Sequence, residues 1–403
     1  MSTDKTSSTS ADIRGATATG GADEPFDAIV VGLGAMGACA LAELARRGKR
    51  VIGVDRFAPP HDLGSSHGGS RVIRLSYFEH PDYVPLLRRA YDGFDRLGKD
   101  GGETLRFETG LVMGGPTGNK VAAGMLRSAS AHDLVVEAID GAQLMKRHPQ
   151  FRVPADWELV CEARGGFVRP EATIRTALAA ARAAGARIEL NAPIDAWRAD
   201  EGGVWIRTIR GAFSAKSLVL SAGAWMPSLV GDRVRGLRPT RETIAWIDDA
   251  GDPAWQMDRM PVWLFDRAGE PEIYGVPAFP SMGEPRGMKV GLHCRGPEVE
   301  PEESHDLPDG AIVAETLAAV RERIPSAEGR ACTHAKNCLY TMSSDSHFVV
   351  GLHPGHTNVA IACGFSGHGF KFAPVIGEAL ADLALDGRTA LPIGFLSPTR
   401  AKA

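Results

Sequence analysis

The fold is decided by the stretch Ala28-Ile29-Val30-Val31-Gly32-Leu33-Gly34-Ala35-Met36-Gly37. Its apolar residues predict a buried strand, and its glycines lead into an alanine-rich helix over residues 38–47. A second apolar run, Val51–Val54, follows the helix and ends on Asp55. The order strand, glycine turn, helix, strand and acid is that of a βαβ unit that binds a dinucleotide.

Each position of this motif has a physical role in such a unit. The first glycine allows a tight turn, the second lets the backbone approach a pyrophosphate, and the third lets the helix pack closely on the strand. Free N–H groups at the helix N-terminus face the phosphates, and the acid accepts hydrogen bonds from an adenosine ribose. The alternative is a plain βαβ turn, because glycines also serve ordinary turns. The predicted cofactor-binding residues of this segment are Gly32, Gly34, Met36, Gly37 and Asp55.

Composition bounds the class of protein. The 403 residues have room for two or three domains, with 44% hydrophobic and 23% charged residues. A net charge of −4 without a basic tract argues against a nucleic-acid partner, and the absence of a long apolar run argues against a membrane span. The six cysteines are scattered without a C-x-x-C pair, which argues against a disulfide framework or metal site and indicates a reducing cytoplasm.

The chain divides into a leader and two interleaved domains. Residues 1–25 are rich in small and polar side chains and lack an apolar signal region, so we expect a disordered leader. Nucleotide-domain patterns recur in three separated segments, with alternating patterns that favour an antiparallel substrate-binding sheet between them. The expected segments are 26–105, 166–235 and 331–403 for the nucleotide domain, and 106–165 and 236–330 for the substrate domain.

A second glycine-rich loop lies near the end of the chain. Residues 360–372 read as a strand, then a loop with three glycines, then Lys371 between two phenylalanines before a helix. Backbone N–H groups at such a helix start face an anion, so Lys371 is interpreted as a ligand of a carboxylate or a reduced cofactor ring. The alternative is a solvated surface lysine.

Two further pairs of side chains have spacings that suggest shared faces. Arg71 and Arg74 end a long polar loop and share one face if the segment is helical, as its pattern suggests. Lys289 and His293 share one face of a predicted strand. The alternative for Arg71 and Arg74 is two solvated arginines, and a lone pair such as Lys289 and His293 more often lies at the surface.

These motifs together resemble the family of monomeric sarcosine oxidase and N-methyltryptophan oxidase, which are FAD enzymes that oxidise secondary amino acids. The resemblance extends from about Phe26 nearly to the end, and its most specific part is Gly364–Phe372 together with Cys338. It implies an α/β (α+β overall) architecture like that of p-hydroxybenzoate hydroxylase, with a Rossmann-like FAD-binding domain and an inserted antiparallel-sheet substrate domain. The matching segments are 27–55, 59–74, 289–293, 338–341 and 364–372.

The resemblance also implies a role for each site residue. Cys338 matches the cysteine bonded through sulfur to the 8α-methyl of the flavin, and Arg74 and Lys371 match the cations that hold the substrate carboxylate. Lys289 matches the cation beside the flavin at which oxygen is reduced, and Arg71, His293 and Tyr340 match residues around the flavin and the substrate amine. The remaining implied cofactor neighbours are His67, Ser70, Gly364, Gly367 and Gly369.

The sequence thus predicts an oxidase of an N-substituted amino acid, with FAD as cofactor, molecular oxygen as acceptor and a monomeric state. The imine product would hydrolyse in water, and oxygen would be reduced to hydrogen peroxide. One alternative is another oxidase of this family, acting on pipecolate, saccharopine or fructosyl amino acids, or in biosynthesis. The others are a dehydrogenase with another electron acceptor and a flavin-binding protein without turnover.

Overall fold

The computed structural model describes residues 25–234, 236–279, 285–305 and 307–400, and the expected leader therefore lies outside the described residues apart from Pro25. The strands, numbered in chain order, are β1 (Phe26–Val31), β2 (Val51–Val54), β3 (Arg71–Ile73), β4 (Arg106–Glu108), β5 (Leu111–Gly115), β6 (Glu137–Asp140), β7 (Glu158–Glu162), β8 (Gly166–Val168), β9 (Arg187–Glu189), β10 (Ile194–Asp200), β11 (Gly203–Thr208), β12 (Gly211–Leu220), β13 (Arg238–Ile247), β14 (Val262–Arg267), β15 (Glu270–Val276), β16 (Met288–Leu292), β17 (Cys332–Met342), β18 (Val349–His353) and β19 (His356–Cys363). The α-helices are α1 (Ala35–Arg46), α2 (Tyr83–Gly101), α3 (Lys120–Ala131), α4 (Gly141–Arg147), α5 (Pro170–Ala183), α6 (Met226–Val230), α7 (Gly310–Arg323) and α8 (Ala373–Asp386).

A largely parallel sheet carries the glycine motif. Its strands run in the order β10-β11-β12-β1-β2-β9, with β19 also pairing with β12 and β18 pairing with β19. The pairs β1–β2, β1–β12, β2–β9 and β12–β19 are parallel, so these strands end at one edge of the sheet. The register places Val31 beside Val54 and Leu220, and Leu220 beside Ile361. In such sheets, ligands bind in the crevice beyond the carboxyl ends of the strands.

The second large sheet has the order β17-β13-β16-β15-β14-β5-β7-β6. Its neighbours are antiparallel, as the sequence predicts, except that β5 and β14 run parallel. Buried side chains of α7 pack against one face of this sheet. The sheet therefore forms the wall of a second compartment beside the parallel sheet.

The structure corrects one expectation about a segment and shows a strand pairing that the sequence does not predict. Arg71 begins strand β3, and not a helix, because Arg71–Ile73 pairs with β8 through Val168 and Gly166. Strand β17 pairs along its length with β13 of the second sheet, although the sequence segmentation assigns residues 331–403 to the nucleotide domain. The division into two domains itself remains a prediction.

Helices α1, α2, α5 and α8 cover one face of the parallel sheet with a large apolar cluster. The amphipathic pattern of residues 83–97 predicts a helix, which is α2 and ends before Gly102 in the left-handed conformation (φ 66°). The sequence also predicts a short helix over residues 140–148, which is α4, where Asp140 and Gln143 form a capping box. Local sequence signals thus place these helices correctly.

Candidate functional site

The edge of the parallel sheet borders a cavity of about 280 Å³. It is lined by Gly32 after β1, by Asp55 after β2, by Ser221 after β12 and by Gly364 after β19. Residues Gly34, Met36, Gly367 and Gly369 also line it. The two glycine-rich segments that the sequence singled out therefore meet at one cavity, which has the position expected for a dinucleotide.

The first glycine turn is built for close approach of backbones. Gly32 has φ 86°, and a Cβ atom there would lie 2.6 Å from the carbonyl oxygen of Ser221. A Cβ atom on Gly37 would lie 1.7 Å from the carbonyl oxygen of Gly32, so the helix packs against the turn only without a side chain. Gly34 precedes α1 without a side-chain cap, which leaves N–H groups of the first turn directed at the cavity end. This cradle fits the pyrophosphate of FAD.

Asp55 is a buried carboxylate at the end of β2. Its Oδ2 accepts a hydrogen bond from the Leu33 N–H at 2.6 Å, and its Oδ1 accepts one from the Phe57 N–H at 2.8 Å. Burial raises the pKa of Asp55, and the two backbone hydrogen bonds oppose that shift. Asp55 therefore braces the glycine turn, and its remaining lone pairs face the cavity where a ribose is expected.

A second cavity, of about 90 Å³, adjoins the first. The two share Arg71, Tyr340, Gly367 and Phe370 as lining residues. A Cβ atom on Gly367 would lie 2.2 Å from the ring of Tyr340, so this junction depends on a glycine. The second cavity is bounded by the second sheet and contains Arg74, Lys289, His293, Cys338 and Lys371 among its lining residues.

The predicted carboxylate-binding cations lie together in this second cavity. Arg74 is 3% exposed and Lys371 is 6% exposed. Arg74 is already paired, since its Nη2 donates to both oxygens of Glu79 at 2.8 and 2.7 Å. The sequence did not predict this pair. Burial alone would raise the pKa of Glu79, but the charges of Arg74, His368 and Lys371 lower it to about 2. Glu79 is thus an ionised carboxylate in the position expected for an acidic ligand.

Lys371 is the more weakly held of the two cations. Its Nζ donates to the carbonyl oxygen of His368 at 2.7 Å and lies 5.2 Å from the ring centroid of Tyr77. Burial and the neighbouring Arg74 lower the pKa of Lys371 to about 7, while Glu79 opposes the shift. An anionic ligand at this point would favour the charged form of Lys371.

Lys289 lies on β16 and is fixed by backbone oxygens. Its Nζ donates to the carbonyl of Gly68 at 3.1 Å and also to the carbonyl of Ser70. Burial and Arg71 lower the pKa of Lys289, and Glu171 opposes this effect. Ser70, which the sequence predicts as a neighbour of the cofactor, therefore contacts Lys289 through its backbone carbonyl.

Cys338 and Arg71 are in contact at the junction of the cavities. Cys338 is 2% exposed, and Arg71 Nη2 donates to its Sγ at 3.3 Å. Burial raises the pKa of the Cys338 thiol, while the charges of Arg71 and Lys289 favour the thiolate. Cys338 thus lines the second cavity beside Arg71, which borders both cavities.

His293 and Tyr340 face each other across the second cavity, with Tyr340 Oη 3.5 Å from His293 Nδ1. Burial lowers the pKa of His293, so its imidazole is neutral. Tyr274, on β15, also lines this cavity, and burial raises the pKa of its hydroxyl. These groups offer neutral hydrogen-bonding partners to an amine.

His67 lies buried between the loop and the second sheet without lining either cavity. Among the described residues, neither of its ring nitrogens has a hydrogen-bond partner. Burial and Arg71 lower the pKa of His67 to about 3, so the ring is neutral. Buried polar atoms without partners are rare, but His67 lines neither cavity, so the structure does not bring this predicted cofactor neighbour to the cofactor site.

Sequence reasoning missed three residues of the second cavity, namely Glu79, Tyr274 and His368. Two contacts fix the orientation of the His368 ring. Its Nε2 lies 2.9 Å from the Ser346 carbonyl, and its Nδ1 contacts the Tyr77 hydroxyl. An arginine five residues before a glutamate is a common surface pattern, so only the fold shows that Arg74 and Glu79 form a buried pair. Tyr274 carries no local motif at all.

Two other kinds of feature are absent from the described residues. No helix there is long and apolar enough to cross a membrane. No group of three or more His, Cys, Asp or Glu side chains there could hold a metal ion.

A Rossmann-like domain whose dinucleotide cavity opens into a cation-lined substrate cavity defines a flavoprotein oxidoreductase. The chain belongs to the FAD dependent oxidoreductase (DAO) family, which matches residues 27–383.

Relatives of known activity are similar over almost the whole chain. A monomeric sarcosine oxidase of Streptomyces avermitilis is 37% identical over 384 residues, which is 94% of this chain and 98% of that protein. An N-methyl-L-tryptophan oxidase of Salmonella typhimurium is 36% identical over 378 residues, which is 93% of this chain and 98% of that protein. The family resemblance inferred from the motifs is therefore confirmed.

Solved structures confirm the fold. The open form of NikD, an unusual amino acid oxidase essential for nikkomycin biosynthesis, has a TM-score of 0.82 at 22% identity and covers 94% of this chain and 99% of its own. L-proline dehydrogenase from P. horikoshii has a TM-score of 0.79 at 18% identity and covers 93% of this chain and 97% of its own.

Proposed function

We propose that the protein oxidises the C–N bond of an N-substituted amino acid and passes the electrons to oxygen, giving an imine and hydrogen peroxide. The observation that carries this proposal is the junction of the two cavities, which brings the buried cations Arg74, Lys371 and Lys289 beside the dinucleotide cavity. The named activities of the sarcosine and N-methyltryptophan oxidase relatives support the substrate class.

The cofactor supplies the redox chemistry, since bound FAD accepts a hydride equivalent from an amine and passes two electrons to oxygen. Gly32, Gly34, Met36 and Gly37 would hold its pyrophosphate, and Asp55 its ribose. Gly364, Gly367 and Gly369 would bound its other side.

The residues of the second cavity orient the substrate. Arg74 and Lys371 hold its carboxylate, which fixes the adjoining carbon at the junction of the cavities. Neutral His293 and the Tyr340 hydroxyl accommodate the uncharged amine, because neither places a positive charge beside it. The Phe78, Ile244 and Tyr274 side chains lining this cavity help exclude water from the reacting atoms.

Lys289 serves the second half of the cycle. Negative charge develops on oxygen as it accepts the first electron, and a fixed ammonium nearby stabilises that charge. The two carbonyls that hold Nζ fix its position before the reaction begins. Arg71 extends the positive field at the same junction.

A panel of amines tests this function. Sarcosine, N-methyl-L-tryptophan, L-proline and L-pipecolate would each be mixed with the holoenzyme without oxygen, and bleaching of the flavin would be recorded. Oxygen would then be admitted and peroxide measured. Bleaching with at least one amino acid and one peroxide per substrate is expected. Bleaching without peroxide would indicate a dehydrogenase, and no bleaching with any amine would indicate binding without turnover.

Covalent attachment at Cys338 is part of this proposal. Its sulfur lies at the junction, with Arg71 favouring the thiolate, and a thioether to the flavin would prevent loss of the cofactor. The expected result of acid precipitation is a yellow pellet for the wild type and a yellow supernatant for Cys338→Ala. Cys39→Ala, which removes another buried thiol outside both cavities, is the matched control. Release of all flavin from the wild type would contradict the attachment.

We propose a monomer located in the cytoplasm. The scattered free cysteines suit a reducing compartment. Light scattering of the purified holoenzyme would show 42.8 kDa if the chain is monomeric.

A further inference from the structure

The turn before β3 has an unusual backbone. Gly68 and Gly69 both have left-handed conformations, with φ 92° and 74°. Glu171 Oε1 accepts hydrogen bonds from the N–H groups of Gly68 at 2.6 Å and Gly69 at 3.1 Å. Its Oε2 accepts a further contact from the Gly69 N–H at 3.2 Å. The two successive amides therefore converge on one carboxylate.

The carbonyl groups of the same turn bind Lys289. Its Nζ donates to Gly68 O and Ser70 O, as described above. The peptide groups of the turn thus lie between a carboxylate at their N–H side and an ammonium at their C=O side. Both contacts are favourable for the peptide dipoles, so each charge stabilises the arrangement that holds the other.

Few negatively charged groups lie near the Lys289 ammonium. The groups that face it are Arg71 on β3, Cys338 on β17, His67 on the loop and Glu171 at the start of α5. Arg71 repels the ammonium, neutral His67 adds no charge, and a cysteine in a thioether carries none. Glu171 then supplies the negative charge of this set.

We propose that Glu171 is a positioning residue that fixes the Gly68–Ser70 turn and, through it, keeps the Lys289 side chain oriented and positively charged. The proposal rests on the function proposed for Lys289 in reoxidation. Among the described residues, the Glu171 carboxylate accepts hydrogen bonds from Gly68 and Gly69, and it acts on Lys289 through this turn.

The test uses Glu171→Gln, which keeps the size of the side chain and removes its charge. Holoenzyme would be photoreduced without oxygen, mixed with oxygen in a stopped-flow instrument, and its reoxidation rate measured from pH 6 to pH 9.5. A lysine is charged below its pKa, so a lower pKa moves the loss of rate to lower pH. The expected midpoint falls by about one pH unit, so reoxidation in Glu171→Gln should match the wild-type rate at pH values below both midpoints and become roughly tenfold slower above both.

A second measurement does not depend on activity. Amide hydrogen exchange of the peptide containing residues 66–73 should be faster in Glu171→Gln, because Gly68 and Gly69 lose their charged acceptor. Glu103→Gln is the matched control, since Glu103 accepts hydrogen bonds from Arg169 and Arg175 at the same helix but does not touch the turn. It should leave both measurements unchanged.

The outcomes separate this inference from the proposed function. A rate lowered by one constant factor at every pH, or an unchanged midpoint, would overturn the role of Glu171. Wild-type reoxidation in Lys289→Met would instead overturn the function of Lys289, and amide exchange would still decide whether Glu171 fixes the turn. If Glu171→Gln fails to fold, Glu171→Asp retains the charge and should keep the wild-type midpoint; a lowered midpoint there would overturn the proposal.

Discussion

At the scale of single residues, Glu79 controls how readily an anion binds in the second cavity. It is ionised and occupies Arg74 in a bidentate contact. An incoming carboxylate must therefore share Arg74 with it or displace it, against the repulsion of like charges. Glu79 is thus a competitor for the cation that the proposed substrate needs.

The prediction is that Glu79→Gln binds carboxylates more tightly. Inhibition by methoxyacetate, which has an ether where the substrate has an amine, would be measured at pH 6. Removing one nearby negative charge should lower its inhibition constant about tenfold, which corresponds to about 1.4 kcal/mol. Glu378→Gln, which removes a carboxylate paired with the exposed Arg89, should have no effect. Weaker inhibition in Glu79→Gln would mean that Glu79 mainly supports Arg74.

Lys371 makes anion binding depend on pH. Its pKa is about 7, and only its protonated form attracts a carboxylate. The inhibition constant of methoxyacetate should not change with pH well below pH 7. Above pH 7 it should rise by up to tenfold per pH unit, because the protonated fraction of Lys371 falls by about that factor. In Lys371→Met the constant should be larger at pH 6 and nearly flat from pH 6 to pH 8. A pH dependence that persists unchanged in this variant would assign it to another group.

At the scale of secondary-structure elements, the sequence predicts the elements that depend on local signals and misses the pairings between segments that are distant in sequence. The β1–α1–β2 unit is predicted because its glycine turn and apolar runs are local signals. Strand β3 is missed because its partner β8 lies almost a hundred residues further along the chain. The pairing of β17 with β13 is not predicted for the same reason, since these strands are similarly distant in sequence. Propensity cannot identify a pairing that only the fold creates.

The roles of charged side chains show the same limit. Lys289 and His293 are two pleats apart, so their shared cavity follows from strand geometry. The pairing of Glu171 with the Gly68–Gly69 turn depends on how distant segments pack, and the burial of the neighbouring Arg74 and Glu79 depends on the segments that cover them. These contacts have no local sequence signal.

The loop before β18 is held by the last described residue, Arg400. Its guanidinium donates to both oxygens of Asp345 at 2.8 Å and to the Phe348 carbonyl at 2.9 Å. The same loop presents the Ser346 carbonyl to His368 in the second cavity. A contact near the chain end therefore supports an element of the site.

Arg400→Gln should destabilise the protein in a pH-dependent way. The hydrogen bonds of Arg400 outweigh the effect of burial and lower the pKa of Asp345 to about 2. The stabilisation of the folded state by this pair is therefore present above about pH 4 and is lost as the pH falls towards 2. Because the pair is partly solvated, the expected loss is about 1 kcal/mol at pH 7 and less at pH 3. Urea unfolding at both pH values measures it. An equal loss at both would assign the effect to the carbonyl contacts.

At the scale of the whole molecule, the two sheets supply different parts of the proposed site. The parallel sheet presents the glycine turns and Asp55 at its edge, and the second sheet presents Lys289, His293 and Cys338. Arg74 and Lys371 reach the second cavity from loops between them. Substrate oxidation should therefore depend on the carboxylate-binding cations, and oxygen reduction on Lys289.

Rapid-mixing kinetics of the two half-reactions in Lys289→Met tests this division most directly. Methionine keeps the length and the apolar stem of lysine and removes the charge. Anaerobic reduction of the flavin by an amino acid substrate should change little, while reoxidation by oxygen should slow by about a hundredfold, as expected for the loss of one preorganised charge at a developing anion. Arg74→Ala should show the opposite pattern, with weaker substrate binding by roughly 2–5 kcal/mol and ordinary reoxidation. Equal slowing of both half-reactions in Lys289→Met, or unchanged reoxidation, would contradict the account.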